Sequence, residues 1–140
     1  MATFGHDSLS KISSLHPLWE PILHDVIKWF DFKVTCGHRT MEDQTKAYLA
    51  GLSKKRWPES KHNPMPSIAV DVAPYHATPP HIRWNATKEF YFLAGAILEA
   101  AESFDTEVRW GGDWDRDGDL YDQTFMDLGH FELVSVDNHG

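Results

Sequence analysis

Two histidines and an aspartate, His62, Asp71 and His130, are the residues of this sequence best suited to hold a catalytic metal ion. Two neutral imidazoles and one carboxylate form the ligand set of an open zinc site, whose fourth position takes water. Zinc lowers the pKa of that water to about 7 and so supplies a nucleophile at neutral pH. Either histidine alone is more often a surface or core residue than a ligand. Asp71 is a stronger candidate ligand, because burying an unpaired carboxylate in a valine-rich strand has a large desolvation free energy unless a cation lies beside it.

Asp127 lies three positions before His130 and is the candidate general base for such a site. On a turn, this spacing brings a carboxylate close to the water without making it a ligand. The alternative is a turn or capping residue with no part in catalysis. Cys36 is the single cysteine, which excludes an internal disulfide and a thiolate metal cluster. Histidines and carboxylates must therefore hold any metal.

Residues 113–122, which we call the acidic loop, form a second group that favours a cation. Its five aspartates are Asp113, Asp115, Asp117, Asp119 and Asp122. With Gly118 they fit the opening of a calcium loop, which places oxygens at alternate positions and a glycine at the sharp turn. Thr124 occupies the twelfth position in place of the bidentate glutamate, a role that Asp122 could take in part. The alternative is a solvated acidic turn that shapes one wall of a cleft.

Length and composition favour one globular domain. The chain has 140 residues and 16.0 kDa, of which 41% are hydrophobic, and leaves no room for an independent second domain. Its formal charge of −8 argues against a nucleic-acid partner. The longest apolar run, residues 90–98, is about half the length that spans a bilayer, which predicts no membrane insertion. The first residues do not resemble a signal peptide, so the protein is expected in the cytoplasm.

Hydrophobic periodicity predicts the elements that must bring these residues together. Helices are predicted over residues 17–30, 40–51 and 87–104. Strands are predicted over residues 32–36, 69–73, 107–110 and 130–134, with a surface loop over 53–67. Asp71 then lies on the strand face opposite Val70 and Val72. This order of elements predicts an α+β fold in which helices pack on a small antiparallel sheet.

Three strings together resemble the signature of a known family. They are Ser60-x-His62, Ala69-x-Asp71 and Asp127-x-x-His130. They are similar to the LAS-type zinc peptidases of peptidoglycan, which include D-alanyl-D-alanine carboxypeptidases and dipeptidases and phage L-alanyl-D-glutamate endopeptidases. The similarity extends from about His16 to Val136 and includes the segments 35–40, 60–67, 70–75, 110–114 and 130–133.

Two departures from the family pattern point to its endopeptidase branch. His62 and Asp71 are nine positions apart, where many members have seven, so a longer turn must bring them together. Asp127 also stands where the carboxypeptidase and dipeptidase branches carry a glutamate. The resemblance implies that His62, Asp71 and His130 are zinc ligands and that Asp127 is the catalytic acid and base.

The resemblance also implies roles for residues beyond the ligands. Arg39 corresponds to the basic residue that steadies the substrate carbonyl, and a guanidinium suits a developing oxyanion because it does not deprotonate. The alternative for Arg39 is an exposed salt bridge at a helix start. Ser60 and Gln44 are expected to bind substrate. Some related phage enzymes have a calcium-responsive loop, which adds calcium in the acidic loop as a regulator.

The function implied by the resemblance is that of a phage endolysin with an LAS-type fold. A monomeric zinc peptidase domain over residues 1–140, with no separate wall-binding domain, would cleave the L-alanyl-D-glutamate bond of the peptidoglycan stem. It would wait in the host cytoplasm until a holin-type pore admits it to the cell wall. Three alternatives stay open: a D-alanyl-D-alanine carboxypeptidase, a non-catalytic zinc-binding recognition domain, and a calcium-binding structural protein.

Overall fold

The computed structural model describes residues 2–121, 126–134 and 136, and the elements below lie in these ranges. They are α1 (His6–Ile12), α2 (Trp19–Ile27), β1 (Phe32–Cys36), α3 (Met41–Leu49), β2 (Ala69–Pro74), α4 (Thr87–Ser103), β3 (Val108–Trp110) and β4 (His130–Leu133). The α+β class and the small antiparallel sheet predicted from the sequence are confirmed.

The four strands form an antiparallel sheet in the order β1-β2-β4-β3, and its register positions the site. Asp71 on β2 and His130 on β4 are paired across the two central strands. On the other side of β2, Cys36 of β1 also pairs with Asp71, just after an irregularity in the register. Because a slip of one residue would turn every side chain to the opposite face, the buried valines of β2 fix this alignment.

The helices supply most of the hydrophobic core. Helix α2 packs against α4, α4 packs against β2 and β3, and α1 packs against β1. Ile22 and Val26 of α2, Leu93 and Ile97 of α4 and Val72 of β2 are at most 1% exposed. Burial of each such side chain stabilises the fold by about 1.5–3 kcal/mol. None of the described helices has both the length and the apolar character needed to cross a membrane.

The helix ends differ from the predictions in understandable ways. Helix α2 begins at Trp19 rather than at residue 17, since residues 17 and 18 form a turn. Helix α3 begins as predicted, because the Thr40 hydroxyl accepts the amide of Asp43 at 3.1 Å. No apolar stripe predicts α1, whose buried residues are only Ser8 and Ile12.

Candidate metal centre

The three predicted ligands converge beside strand β2, and we call His62, Asp71 and His130 the ligand cluster. His62 Nε2 lies 3.1 Å from Asp71 Oδ1, and His130 Nδ1 lies 2.9 Å from the same oxygen. The side chains of His62 and His130 are 3% and 11% exposed, whereas that of Asp71 is 23% exposed. The cluster is therefore buried on the imidazole side and reachable at the carboxylate.

Each imidazole of the ligand cluster uses its second nitrogen elsewhere. His62 Nδ1 lies 2.7 Å from the carbonyl oxygen of Gly37, which accepts a hydrogen bond only from a protonated nitrogen. His130 Nε2 lies 2.9 Å from Glu132 Oε1. Contacts of this kind fix the tautomer and the ring orientation of metal-binding histidines. They leave His62 Nε2 and His130 Nδ1 as the nitrogens that face Asp71.

Electrostatics in the ligand cluster require positive charge beside Asp71. Although desolvation opposes ionisation, the charges of His62 and His130 and their hydrogen bonds hold the pKa of Asp71 well below its usual range. Desolvation lowers the pKa of His62, but the charge and hydrogen bond of Asp71 outweigh it and raise that pKa to about 10. Hydrogen bonds to Asp71 and Glu132 overcome desolvation and raise the pKa of His130 to about 9. A divalent cation held by neutral imidazoles would meet the same requirement, so this donor set fits zinc.

Cys36 is a neighbour of the ligand cluster that no sequence spacing predicts. Its Sγ lies 3.7 Å from His62 Nδ1, and ligand atoms of Cys36, His62 and Asp71 lie within 4.8 Å of one another. Desolvation raises the pKa of the Cys36 thiol, but the hydrogen bond and charge of His62 outweigh it and lower that pKa. The pairing of β1 with β2 brings the sulfur to this place, and such a long-range contact leaves no local pattern.

Asp127 lies at the open edge of the ligand cluster. One ligand atom each of Asp71, Asp127 and His130 lie within 4.8 Å of one another. The residue is exposed, although desolvation of its carboxylate and the charge of Asp71 raise its pKa above the ordinary value. Its amide donates to the Gly111 carbonyl at 2.9 Å, and the Gly111 amide donates to the His130 carbonyl at 2.8 Å. A Cβ atom at position 111 would overlap the Asp127 carbonyl, so a glycine is required there.

Arg39 points its guanidinium at the far oxygen of Asp71. Its Nη2 lies 3.6 Å from Asp71 Oδ2, and its Nη1 donates to Gln44 Oε1 at 2.9 Å. The same Gln44 oxygen accepts from Asn63 Nδ2 at 3.2 Å, and Gln44 Nε2 donates to the Lys55 carbonyl at 2.6 Å. A fixed amide therefore holds the guanidinium beside the ligand cluster.

Gln44 and Ser60, which are expected from the resemblance to bind substrate, are both buried in the structure. Gln44 is 0% exposed and Ser60 is 7% exposed. The Ser60 hydroxyl accepts the amide of His62 at 3.2 Å. Buried polar side chains satisfy neighbouring polar groups instead of facing solvent. Gln44 holds Arg39, and Ser60 holds the turn that carries His62.

A cavity of about 280 Å³ opens beside Asp71 and Asp127. Its apolar lining residues are Val72, Trp84, Phe90, Met126 and Leu128. Trp84 is 66% exposed and stacks on Phe90 with ring centroids 6.0 Å apart. Among the described lining residues, the charged ones are the two aspartates. Sequence reasoning missed Trp84 because it lies in the loop before α4, outside every motif.

In the described part of the acidic loop, three of the four aspartates lie close together. Carboxylate oxygens of Asp113, Asp115 and Asp117 lie within 4.8 Å of one another, and Gly118 has the positive φ of 79° that its turn position requires. Asp119 Oδ1 accepts the amide of Tyr121 at 2.9 Å. The predicted contributions of Asp122 and Thr124 lie outside the described residues.

Known proteins are similar to this chain in both sequence and fold. The sequence matches the profile of a family described as phage L-alanyl-D-glutamate peptidase over residues 1–134. It is 28% identical over 137 residues to the L-alanyl-D-glutamate peptidase of Escherichia phage T5, covering 94% of this chain and 97% of that protein. The fold is similar to the crystal structure of the Serratia marcescens L-Ala D-Glu endopeptidase ChiX, with a TM-score of 0.73 and 26% identity over 94% of this chain and 89% of that chain.

Proposed function

Because the chain belongs to the phage L-alanyl-D-glutamate peptidase family, we propose that it is an endolysin that hydrolyses the bond between L-alanine and D-glutamate in peptidoglycan. The observation that carries this proposal is that His62 Nε2 and His130 Nδ1 both contact one carboxylate oxygen of Asp71, with the exposed Asp127 close to Asp71 and His130. A buried metal-binding donor set next to an accessible acid or base is the arrangement that metal-assisted hydrolysis needs.

Zinc is the cofactor that the ligand cluster best fits. His62 Nε2, His130 Nδ1 and a carboxylate oxygen of Asp71 would hold it, which leaves a position open as in catalytic zinc sites. When bound there, zinc would lower the pKa of water and polarise the scissile carbonyl.

Asp127 is the general base and acid of the proposed reaction. It takes a proton from the attacking water and later delivers a proton to the amine of the leaving D-glutamate. Its position supports this role, because Asp127 is exposed to solvent and yet lies within 4.8 Å of atoms of Asp71 and His130.

Arg39 stabilises the oxyanion that forms when the peptide carbonyl is attacked. Its guanidinium lies beside Asp71 and is held by the buried Gln44 amide, so it is oriented before substrate arrives. A donor that is fixed in this way is typically worth about 2.7–4 kcal/mol of transition-state stabilisation.

The apolar cavity receives the L-alanine side of the bond. None of its described lining residues is a Lys or Arg that could pair with the carboxylates of D-glutamate. The apolar walls suit the alanine methyl group, and the exposed ring of Trp84 offers a flat surface to the muramic acid that precedes alanine.

Calcium binding by the acidic loop would regulate the enzyme in this proposal. The clustered oxygens of Asp113, Asp115 and Asp117 support it, and the loop precedes Asp127 in the chain. An ion bound by the loop would couple metal binding to the position of the base. Activity of the zinc-loaded enzyme that is unchanged both by added calcium and by a calcium-selective chelator would contradict this regulation.

The route to the wall is also a proposal. We expect a monomer that leaves the host cytoplasm through a holin-type pore. The molar mass of the purified protein, measured by light scattering, should be that of a monomer. Expression of the protein in host cells should cause lysis only when a holin is co-expressed.

Digestion of defined muropeptides by the zinc-loaded protein tests the proposed reaction. Mass spectrometry should find a product that begins with D-glutamate and a partner that ends in L-alanine. Release of terminal D-alanine would contradict the proposal and favour the carboxypeptidase alternative. Stoichiometric zinc binding without any cleavage would also contradict it and favour a recognition domain.

A further inference from the structure

Glu132 lies behind the ligand cluster and has no part in the reaction described so far. It follows His130 by two positions on β4, so both side chains lie on the same face of the sheet. Its Oε1 lies 2.9 Å from His130 Nε2, the nitrogen that does not face Asp71. Glu132 is 7% exposed, and a carboxylate so deeply buried needs partners for its charge.

Arg109 is the second partner of Glu132. The two residues are paired across β3 and β4, and Arg109 Nη1 lies 3.5 Å from Glu132 Oε2. One carboxylate oxygen therefore faces the imidazole and the other faces the guanidinium. The Arg109 side chain is 36% exposed, which leaves the cation within reach of solvent while the carboxylate stays buried. The three groups form a chain from Arg109 through Glu132 to His130.

The two imidazoles of the ligand cluster are supported differently. His62 Nδ1 faces a neutral backbone carbonyl of Gly37, whereas His130 Nε2 faces a charged carboxylate. Hydrogen bonds to ionised acceptors are about twice as strong as those between neutral groups. A carboxylate behind a ligating histidine fixes its tautomer and makes the opposite nitrogen a stronger donor to the metal.

We propose that Glu132 is a positioning residue that holds His130 with Nδ1 turned towards the metal, and that Arg109 holds Glu132 in place. This inference depends on the proposed function only in taking His62, Asp71 and His130 as the metal ligands. Glu132 touches neither water nor substrate in this role. Its effect is on the strength and geometry of metal binding.

The zinc dissociation constant, measured by competition with a chromophoric chelator, tests this role without an activity assay. Glu132→Ala removes the acceptor and the charge, and we expect zinc to bind roughly 100-fold more weakly. Glu132→Gln keeps an acceptor oxygen but removes the charge, and we expect a roughly tenfold loss. Glu107→Gln is the matched control, because Glu107 lies just before β3, pairs with Arg116 at 3.3 Å and is 66% exposed. It should bind zinc as the unchanged protein does.

The spectrum of the metal site separates a positioning role from a merely structural one. The visible spectrum of the cobalt-substituted protein should change in Glu132→Gln but not in Glu107→Gln. The isosteric Gln variant keeps the test valid if Glu132→Ala does not fold. A folded Glu132→Gln protein that binds zinc within about twofold of the unchanged protein and keeps its cobalt spectrum would overturn the inference. His62→Ala and His130→Ala serve as references, since zinc affinity unchanged in both would overturn the ligand assignment itself.

Discussion

The ligand cluster and the acidic loop both gather carboxylates, but they hold them differently. Asp71 meets imidazoles 9 and 59 positions away, whereas Asp113 accepts the amides of residues four and five positions ahead. Although desolvation opposes ionisation of Asp71, His62 and His130 hold its pKa well below the usual range. The pKa of Asp113 is raised instead, because desolvation and the neighbouring Asp115 outweigh the hydrogen bonds from backbone amides. Breaking a buried pair of charges is costly, whereas exposed contacts contribute little, so Asp71 should be harder to replace than Asp113.

Replacement of Asp71 should have the largest effect. Asp71→Asn keeps the shape but removes the charge that the two imidazoles face, so we expect stoichiometric zinc binding to be lost. Hydrolysis should fall by more than about 100-fold, the upper range for loss of a residue that only supports a ligand. Metal analysis and a muropeptide assay measure the two effects. Asp7→Asn is the surface control, since Asp7 pairs with Lys11 and is 57% exposed. Equal zinc content in Asp71→Asn and Asp7→Asn would contradict the role of Asp71 in metal binding.

Replacement of Asp127 should separate catalysis from metal binding. Asp127→Asn cannot accept the proton of water, so kcat should fall by about 10²- to 10⁴-fold. Zinc affinity should stay within a few-fold, because Asp127 is not among the three residues assigned as ligands. Loss of zinc together with activity would show that Asp127 is a ligand instead of a base.

A methyl group at position 111 should displace the base without touching the reacting atoms. Gly111→Ala would push on the Asp127 carbonyl, and a misplacement of about 1 Å can cost about 10²-fold in rate. Gly95→Ala is the matched control, because a Cβ at this exposed position of α4 meets nothing within 4 Å. It should keep full activity and raise the free energy of unfolding by about 0.5–1 kcal/mol. Equal kcat values for the two variants would contradict the role given to Gly111.

Removal of the exposed ring at the cavity should have the smallest effect. Trp84→Ala should raise KM for sugar-bearing muropeptides by about 3- to 10-fold, in line with about 0.5–1.5 kcal/mol for aromatic contacts. The KM for a stem peptide without sugar should change less. Trp29, 58% exposed but outside the cavity lining, is the control residue. A KM increase of the same size for Trp29→Ala would show that Trp84 has no special contact with substrate.

Local patterns in the sequence predict most of the fold. The apolar stripe of α4 places that helix at Thr87–Ser103, and alternation places β1 and β2 close to their observed ends. Helix α1 escapes prediction because its sequence carries no such stripe. Family strings bring His62, Asp71 and His130 together, yet the register that pairs Asp71 with His130 is set only by the folded sheet.

The groups that contact the proposed ligands are harder to predict than the proposed ligands themselves. The sequence indicates only that Glu132 is a polar residue of a strand, and its pairing with Arg109 is visible only in the folded sheet. Gln44 and Ser60 belong to recognised strings, but only the structure shows that they are buried and satisfy their neighbours. Such roles depend on contacts between distant elements, which neither residue type nor spacing records.

X-ray absorption spectroscopy of the zinc-loaded protein tests most directly whether His62, Asp71 and His130 bind one metal ion. The account predicts a shell of nitrogen and oxygen at about 2.0–2.2 Å with the signature of two imidazoles. One imidazole should disappear in His62→Ala and one in His130→Ala. A sulfur ligand at about 2.3 Å would show that Cys36 binds the metal, and would contradict the assignment of His62, Asp71 and His130 as the ligands.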